Sequence, residues 1–310
     1  RLARLADETV DDRPVAPAAD PATWWGMRPL TTADTPVVAP QQAVRLSPSG
    51  VETLLSCPRR WFLQQQARAG SPRRSAATLG SVVHAIAEHA TEEHELSDLL
   101  TQLDRVWERI SFDAAYRTEQ ERIEAEAAVE RMLAWQQAEP GTVLGVEVPF
   151  DLELTVPAPP DQPEAGPEQV HLVGTVDRLE LTPRGTVKVV DWKTGSTPVR
   201  PDRAEVHDQL GVYQLAVREG AFDAVTGGVR EPDGAVLVQL RLQDGDPEQP
   251  WPKVVGQSPL PPGSSWVHER LHTAARLVRE ERFDAVVNDA CRFCDFAGSC
   301  PARGASGVVS

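Results

Sequence analysis

Two short stretches, Gly174-Thr-Val-Asp177-Arg-Leu-Glu180 and Val189-Val-Asp191-Trp-Lys193-Thr-Gly195, carry acidic residues inside or at the end of apolar segments. Each segment has the composition of a β-strand, and the Thr-Pro-Arg-Gly turn between them predicts a hairpin. A buried carboxylate is costly unless it is paired or binds a metal ion. Asp191 and Lys193 are two residues apart, so they point to the same face of the sheet. Such a pair suits phosphodiester chemistry, in which carboxylates hold Mg²⁺ and a cation stabilises developing charge.

A simpler interpretation is that Asp191 and Lys193 form a solvated pair at the strand end, and that Asp177 pairs with Arg178 or another neighbour. Any single Asp in such a position is best explained in this way. The joint pattern favours a functional site, because lysine is rare in a chain that has only three lysines against 28 arginines.

Hydrophobic periodicity predicts an α/β fold with a mixed central β-sheet flanked by helices. Helical patterns cover 49–62, 77–93, 97–138, 204–220 and 265–282, and strand patterns cover 146–154, 170–181, 186–192 and 235–242. The proline-rich segments 157–167 and 247–262 are predicted to be loops. We expect 1–45 to be an extended linker or tail, 46–301 to be the folded domain and 302–310 to be a C-terminal tail.

The chain has a formal net charge of −15, whereas nucleic-acid-binding surfaces are usually basic. Only the stretch 53–87, with five arginines and no Asp or Glu, goes against this balance. The charge predicts weak DNA affinity for this chain alone and a larger partner that grips the DNA. No apolar run predicts a transmembrane helix and no signal peptide opens the sequence, so we expect a cytoplasmic protein without a membrane partner. The start at Arg1 suggests a fragment of a longer polypeptide or a processed chain.

Four motifs in fixed order resemble the RecB-like branch of the PD-(D/E)XK nuclease superfamily: Gly80-x-x-x-His84, Gly174-x-x-Asp177-Arg-x-Glu180, Asp191-Trp-Lys193-Thr-Gly195 and Gln209-x-x-x-Tyr213. The resemblance covers about 47–301 and implies a restriction-endonuclease-like core. It also implies Mg²⁺ or Mn²⁺ bound by His84, Asp177, Asp191 and the backbone carbonyl of Trp192, with Lys193 as the catalytic lysine. Gln209 and Tyr213 are one helical turn apart, and we expect them to position DNA or Lys193. Glu147 matches an acidic position in some members.

The four cysteines are Cys57, which lies far upstream, and the close group Cys291, Cys294 and Cys300. Four thiolates match either tetrahedral Zn²⁺ or one [4Fe–4S] cluster, and two disulfides are a further alternative. The arrangement resembles the iron-staple nucleases, a group that includes the nuclease domains of AddAB and AdnAB helicase–nucleases and a CRISPR-associated nuclease. That resemblance implies a structural [4Fe–4S] cluster that joins the two ends of the domain.

The leading hypothesis is a metal-dependent DNA nuclease, and the resemblance favours the nuclease domain of an AdnAB-type complex. Because no Walker A motif is present, the helicase motor and a partner subunit would lie elsewhere. The alternatives are a catalytically idle Fe–S domain that binds or guides DNA, a stand-alone exonuclease of the CRISPR-associated type and a zinc-stapled interaction module.

Overall fold

The computed structural model describes residues 2–21, 34–69, 75–90, 95–107, 115–138, 141–246, 248–263 and 265–303. It divides into two units, Arg1–Ala39 and Pro40–Ser310. The first unit contains 3-10 turns at Leu2–Ala6 and Pro17–Ala19 and a small hairpin of β1 (Thr9–Val10) and β2 (Arg13–Pro14). These elements give the described part of segment 1–45 more local structure than the extended linker or tail that the sequence predicts.

One long strand, β5 (Glu168–Leu181), organises the sheet of the second unit. Along one edge it pairs antiparallel with β4 (Thr142–Val156) over almost its whole length. On its other edge it pairs with two different strands, parallel with β3 (Val44–Leu46) at 170–172 and antiparallel with β6 (Val187–Lys193) at 178–181. Among the described strands, none pairs with 173–177 on this second edge, which leaves a notch between β3 and β6.

Two further strands extend the sheet beyond β6. Strand β7 (Pro232–Gln243) lies parallel to β6, and β8 (Pro252–Gln257) pairs antiparallel with β7 at the edge. The sheet therefore has six strands of mixed direction. The predicted α/β fold with a mixed sheet between helices is confirmed.

Helices cover both faces of the sheet. The named helices are α1 (Pro48–Ser56), α2 (Pro58–Trp61), α3 (Ser75–His89), α4 (Leu96–Trp107), α5 (Ala115–Ala138), α6 (Pro201–Ala204), α7 (Asp208–Arg218), α8 (Asp223–Thr226) and α9 (Trp266–Arg279). A π-helical turn follows α2 at Phe62–Gln66, and short 3-10 turns lie at Pro163–Ala165, Asp289–Phe293, Ala297–Ser299 and Pro301–Arg303.

Helices α3, α4 and α5 share a buried core with one face of β6 and β7, in which Trp135 of α5 meets Trp192 edge to face at 5.3 Å. Helices α1, α7 and α9 pack together on the other face. A Cβ atom at Gly211 of α7 would lie 2.6 Å from the ring of Trp266. Only glycine permits this approach, which holds α7 against α9 and against the sheet.

Two strands escape the sequence patterns. Strand β8 falls inside the proline-rich segment that is predicted to be a loop, and β3 spans the predicted boundary between the linker 1–45 and the folded domain. Both are short edge strands, of six and three residues, so neither has a periodicity that stands out from its surroundings. Of the predicted tail 302–310, residues 304–310 lie outside the described part of the chain. In the described part, no helix has the length and apolar character needed to cross a lipid bilayer.

We expect Gly174→Ala to lower the free energy of unfolding by about 1–3 kcal/mol, as other overpacking substitutions do. A Cβ atom at Gly174 would lie 2.9 Å from Pro48 Cδ and 3.1 Å from Phe150 Cε1. The matched control is Gly298→Ala, because no atom lies within 4 Å of a Cβ atom there. Urea unfolding measures both variants, and equal stability of the two would contradict the prediction.

Candidate active site

Three potential metal ligands meet where α3 crosses the two long strands. His84 Nδ1 lies 3.4 Å from Glu147 Oε1 and 3.7 Å from Asp177 Oδ1. Among the described residues, these three side chains form the one group of three or more His, Cys, Asp or Glu whose ligand atoms all lie within 4.8 Å of each other. An imidazole with two carboxylates is a donor set that suits a divalent transition metal.

The register of the sheet and one glycine bring the three residues together. Pairing of Val146 with Arg178 and of Val148 with Val176 sets Glu147 opposite Asp177. On α3, a Cβ atom at Gly80 would lie 2.9 Å from Thr194 Oγ1. The helix therefore passes close to the end of β6, and His84, one turn further along the same face, reaches the carboxylates.

Glu147 has an unusual backbone conformation for a residue within a strand. Its φ is 47°, in the left-handed region, which costs a non-glycine residue of order 1–3 kcal/mol. The regular alternation of buried and exposed residues in β4 begins only after it, at Val148. The distortion turns the Glu147 carboxylate toward His84, at the place where the strand stops following a simple alternating pattern.

The Asp177 carboxylate is buried and has other carboxylates nearby, and both conditions disfavour its charged form. Burial, and then the neighbouring carboxylate of Asp191, raise the pKa of Asp177 to about 7, against the opposing effects of His84 and of the Trp192 N–H. The Trp192 backbone N–H donates to Asp177 Oδ2 at 2.7 Å. With one oxygen held by β6 and the other directed to His84, the carboxylate is poised to accept a cation.

Lys193 forms a second cluster beside the first. Its Nζ atom lies 2.8 Å from Asp191 Oδ2 and donates to Gln209 Oε1 at 2.8 Å, while Gln209 Nε2 donates to Asp191 Oδ1 at 2.9 Å. Burial lowers the pKa of Lys193, but Asp191, with help from Glu52, raises it more, so the net pKa lies above its usual value. Lys193 is therefore an ammonium group held in place by a carboxylate and an amide.

Tyr213 fixes the amide side of this cluster. Its hydroxyl donates to the backbone carbonyl of Thr175 at 3.0 Å and accepts from Gln209 Nε2 at 3.1 Å. Burial raises the pKa of Tyr213, so the phenol stays protonated. Since Thr175 lies in the notch of β5, Tyr213 connects α7 to the open edge of that strand. Gln209 contacts Lys193, which is the geometry needed to position the lysine.

A fully buried ion cluster supports the strands below the site. Glu180 accepts from Arg178 Nε at 2.7 Å and lies 2.8 Å from Lys188 Nζ, which is 5.3 Å from the centre of the Trp135 ring. Arg178 and Glu180 are 1% and 0% exposed, so removal of one partner would leave a buried charge. The ion pair therefore stabilises β5 directly after Asp177, on the opposite face of the strand.

The model for the PD-(D/E)XK nuclease superfamily matches residues 45–301. This chain belongs to that superfamily. The match covers β3 through the last cysteine and therefore includes both clusters of the site. It is to the superfamily as a whole and does not distinguish the RecB-like branch or any iron–sulfur group within it.

No curated protein sequence matches this chain. Among solved structures, the one titled "Crystal structure of SSO0001" is similar to the chain, with 12% sequence identity and a TM-score of 0.39. The similarity covers 86% of this chain and 89% of that chain.

Within this superfamily domain, the ligands implied by the resemblance fall into two groups. His84 and Asp177 belong to the metal-type cluster, whereas both oxygens of Asp191 are engaged by Lys193 and Gln209. Trp192 is buried and its N–H binds Asp177. Glu147, which the sequence indicates only as matching an acidic position in some members, takes the third place. Glu147 comes close to His84 because of the register between β4 and β5, and no local sequence pattern predicts this approach.

The four cysteines are all free and partly buried. In the described residues, no three of their sulfur atoms lie within 4.8 Å of one another. The segments that carry them do meet, because Asn288 Nδ2 donates to the carbonyl and to the hydroxyl of Ser56 at 3.0 and 3.1 Å. Phe283 also packs on Trp61 and Phe62, with ring centres 5.9 and 4.6 Å apart. Cys57 and the C-terminal cysteine segment are therefore neighbours in the fold.

The raised pKa of Asp177 predicts a pH-dependent stability of the metal-depleted protein. The folded state holds this proton more tightly than an ordinary carboxyl with a pKa of 3.8. The contribution to stability is therefore complete below pH 3.8 and is lost as pH rises through about 7. We expect a lower Tm at pH 8 than at pH 5 in the presence of a chelator, and Asp177→Asn should reduce this difference by several degrees.

The matched control for this measurement is Asp161→Asn, because Asp161 is exposed and lies in a loop. Calorimetry of the three proteins at both pH values separates the effect of the site from the effect of net charge. The interpretation fails when Asp177→Asn and Asp161→Asn keep the same pH difference as the unaltered chain.

Proposed function

We propose that this domain, with limits at 46 and 301, is a divalent-metal-dependent deoxyribonuclease that hydrolyses phosphodiester bonds. One observation carries the proposal. The His84–Glu147–Asp177 cluster adjoins the Asp191–Lys193–Gln209 cluster, and the hydrogen bond from Trp192 to Asp177 joins the strands that carry them. Membership of a nuclease superfamily supports the reaction class.

The residues of the first cluster fit Mg²⁺ or Mn²⁺. His84 and Asp177 of this cluster would hold the ion together with Asp191 and the carbonyl of Trp192, with Glu147 as an additional carboxylate. Each oxygen of Asp191 accepts one contact, from Lys193 or Gln209, and keeps a further lone pair for the ion. The imidazole suits Mn²⁺ better than Mg²⁺, which prefers oxygen ligands. Bound here, the ion would polarise the scissile phosphate and lower the pKa of a bound water. The raised pKa of Asp177 supports this assignment, because burial first and then the nearby carboxylate of Asp191 disfavour its charged form, and a cation bound here would favour that form.

Lys193 would stabilise the charge that develops on the phosphate as water attacks phosphorus and the bond to the 3′-oxygen breaks. An ammonium group has three N–H donors, and Asp191 and Gln209 engage two of them. The side chain is 32% exposed, so a third donor can reach a phosphate oxygen or the attacking water. Gln209 and Tyr213 keep the ammonium in this orientation before substrate arrives, which is the geometric condition for electrostatic catalysis.

We also propose that Cys57, Cys291, Cys294 and Cys300 hold a structural [4Fe–4S] cluster. The hydrogen bonds between Ser56 and Asn288 support this proposal, because they hold the two segments that carry the cysteines next to each other. A zinc ion would hold four sulfur atoms about 3.8 Å apart, given Zn–S bonds of about 2.3 Å. A four-iron cluster spaces them more widely, because each thiolate binds a different iron atom. Among the described residues, no three of the cysteine sulfur atoms lie within 4.8 Å of one another, so neither arrangement is preformed. The cluster would close a very long loop of the chain.

The biological setting that we infer is a helicase–nuclease that processes double-strand breaks in the cytoplasm, with the motor and a partner subunit on other chains or segments. The net charge of −15 supports a partner, because this chain alone has little electrostatic attraction for DNA. A catalytically idle DNA-guiding domain is the alternative. The preorganised Lys193 cluster favours an active enzyme, because a guide has no need of a buried carboxylate–ammonium pair.

We expect Lys193→Ala to reduce cleavage of linear DNA with Mg²⁺ or Mn²⁺ by about 10²–10³-fold or more, as loss of a group that stabilises transition-state charge does. The matched control is Lys253→Ala, which removes a lysine from β8 at the sheet edge and should keep full activity. Rates on single-stranded and duplex DNA, with circular dichroism to verify folding, measure both variants.

Two results would count against this assignment. Undiminished cleavage by folded Lys193→Ala protein would remove Lys193 from the mechanism. Absence of cleavage by the unaltered chain with either metal, while it still binds DNA, would support the idle DNA-guiding domain instead.

A separate prediction concerns the cysteines. Cys57→Ala should lose the broad absorbance near about 400 nm that an iron–sulfur cluster gives and should unfold at lower urea concentration than the unaltered protein. Ser56→Ala is the control, because it removes the neighbouring hydroxyl that Asn288 contacts but leaves all four thiols. Anaerobic purification with iron and zinc analysis gives the readout, and equimolar zinc without iron would overturn the cluster.

A further inference from the structure

An open groove begins next to the metal-type cluster and runs along the exposed face of β4 and β5. Its floor consists of the cross-strand pairs Pro149 with Thr175 and Asp151 with Val173. Pro149 lies two residues from Glu147 on β4, and Thr175 lies two residues from Asp177 on β5. At 3.3 Å per residue, each is about 7 Å from that residue of the cluster. The cavity here has a volume of about 560 Å³, which lies in the range of about 300–1,000 Å³ typical of ligand sites.

A second cavity continues the first. It has a volume of about 200 Å³ and shares Arg45 and Val173 with the first cavity. Its far wall comes from the segment after α1, including Trp61, Gln65 and Gln66. The two cavities together form one path, which we name the β3 track, from the metal-type cluster past Arg45 to this wall.

Arg45 is the cation of the β3 track. It lies on β3 opposite His171 of β5, and its side chain is exposed. Within the described part of the chain, no carboxylate or carbonyl pairs with its guanidinium. Two acids of β4 lie on the same side of the sheet: Asp151, which His171 Nε2 engages at 2.8 Å, and exposed Glu153, which is the cross-strand partner of His171. An exposed arginine with five free donors is suited to bind a phosphate group.

The charge of the surrounding chain also favours an anionic occupant. The far wall belongs to the stretch 53–87, which contains no Asp or Glu in a chain of net charge −15. None of the arginines of this stretch is among the residues that line the two cavities. The exposed amides of Gln65 and Gln66 add donors that bind phosphate or base edges. The β3 track therefore has one unpaired cation, Arg45, and a far wall without acidic residues, and it leads toward the candidate catalytic centre.

We propose that the β3 track binds one strand of the DNA substrate, with Arg45 contacting a backbone phosphate several nucleotides from the scissile bond. This proposal rests on the proposed nuclease function. His171 is six residues from Asp177, or about 20 Å along the strand, which corresponds to roughly six stacked nucleotides at 3.4 Å each. The two cavities suit a single strand, because their floor is two strands wide and the scissile phosphate would lie at one end.

The test uses the full chain carrying Lys193→Ala, so that DNA is bound and not cut. Fluorescence anisotropy with a labelled 20-nucleotide single strand should show that Arg45→Gln weakens binding about three- to tenfold, as loss of one partly exposed charged hydrogen bond does. The slope of log K against log salt should fall by about 0.7, the value for one phosphate contact on a single strand. Arg105→Gln, an exposed arginine on α4 away from the track, is the matched control and should change neither quantity.

A second measurement uses chains with Lys193 intact. Arg45→Gln should raise KM on the 20-nucleotide strand by a factor similar to its loss of affinity, with a much smaller effect on kcat, because Arg45 is remote from the reacting atoms. On a three-nucleotide strand, which does not span the distance to Arg45, the variant and the Arg105→Gln control should have equal kcat/KM.

The outcomes separate this inference from the function on which it rests. Cleavage by the unaltered chain, with equal KM and salt slope for Arg45→Gln and Arg105→Gln, overturns the β3 track and leaves the nuclease assignment intact. If Arg45→Gln weakens binding of a blunt duplex as much as binding of the single strand, the proposal that the track holds a single strand is overturned. Failure of the unaltered chain to bind or cleave any DNA overturns both proposals.

Discussion

The hydrogen bond from the Trp192 backbone to Asp177 is the contact on which the candidate site depends. It joins β6 to β5 at the point where the second edge of β5 becomes free of strand partners. A regular strand in the notch would occupy this edge with its own backbone. Because β3 and β6 instead share the edge, Asp177 and the carbonyl of Thr175 are available to α3 and α7, and both functional clusters assemble around the gap.

Two buried acids on the same strand have contrasting environments. Glu180 contacts Arg178 and Lys188, so its charge is balanced within the protein. Asp177 instead faces His84, Glu147 and Asp191, and burial and then the Asp191 carboxylate raise its pKa in spite of His84. A protein that needed only stability would balance both acids in the same way. The deficit of positive charge at Asp177, beside a fully charged Lys193, is the electrostatic pattern that a metal-dependent phosphodiesterase requires.

In the proposed nuclease, the acidic character of the whole chain and the unpaired Arg45 of the β3 track would affect DNA binding in different ways. Net negative charge weakens general attraction to DNA, which makes binding depend on specific contacts and on a partner. The unpaired Arg45 and the amides of Gln65 and Gln66 would supply such contacts in the proposed track. The segment that bears the wall also carries Cys57, and its contacts with Asn288 and Phe283 connect the track to the C-terminal cysteines.

The sequence by itself determined those site residues that a local sequence pattern identifies. Asp177 and Asp191 interrupt apolar strands and Lys193 follows at a same-face spacing, so strand periodicity and the cost of buried charge predict the mixed sheet and these three positions. Tertiary structure alone decided that Glu147 reaches His84, 63 positions away, and that Ser56, next to Cys57, contacts Asn288, 232 positions away. It also decided that the short strands β3 and β8 complete the sheet. Such contacts depend on strand register and helix packing, which no local pattern of residues encodes.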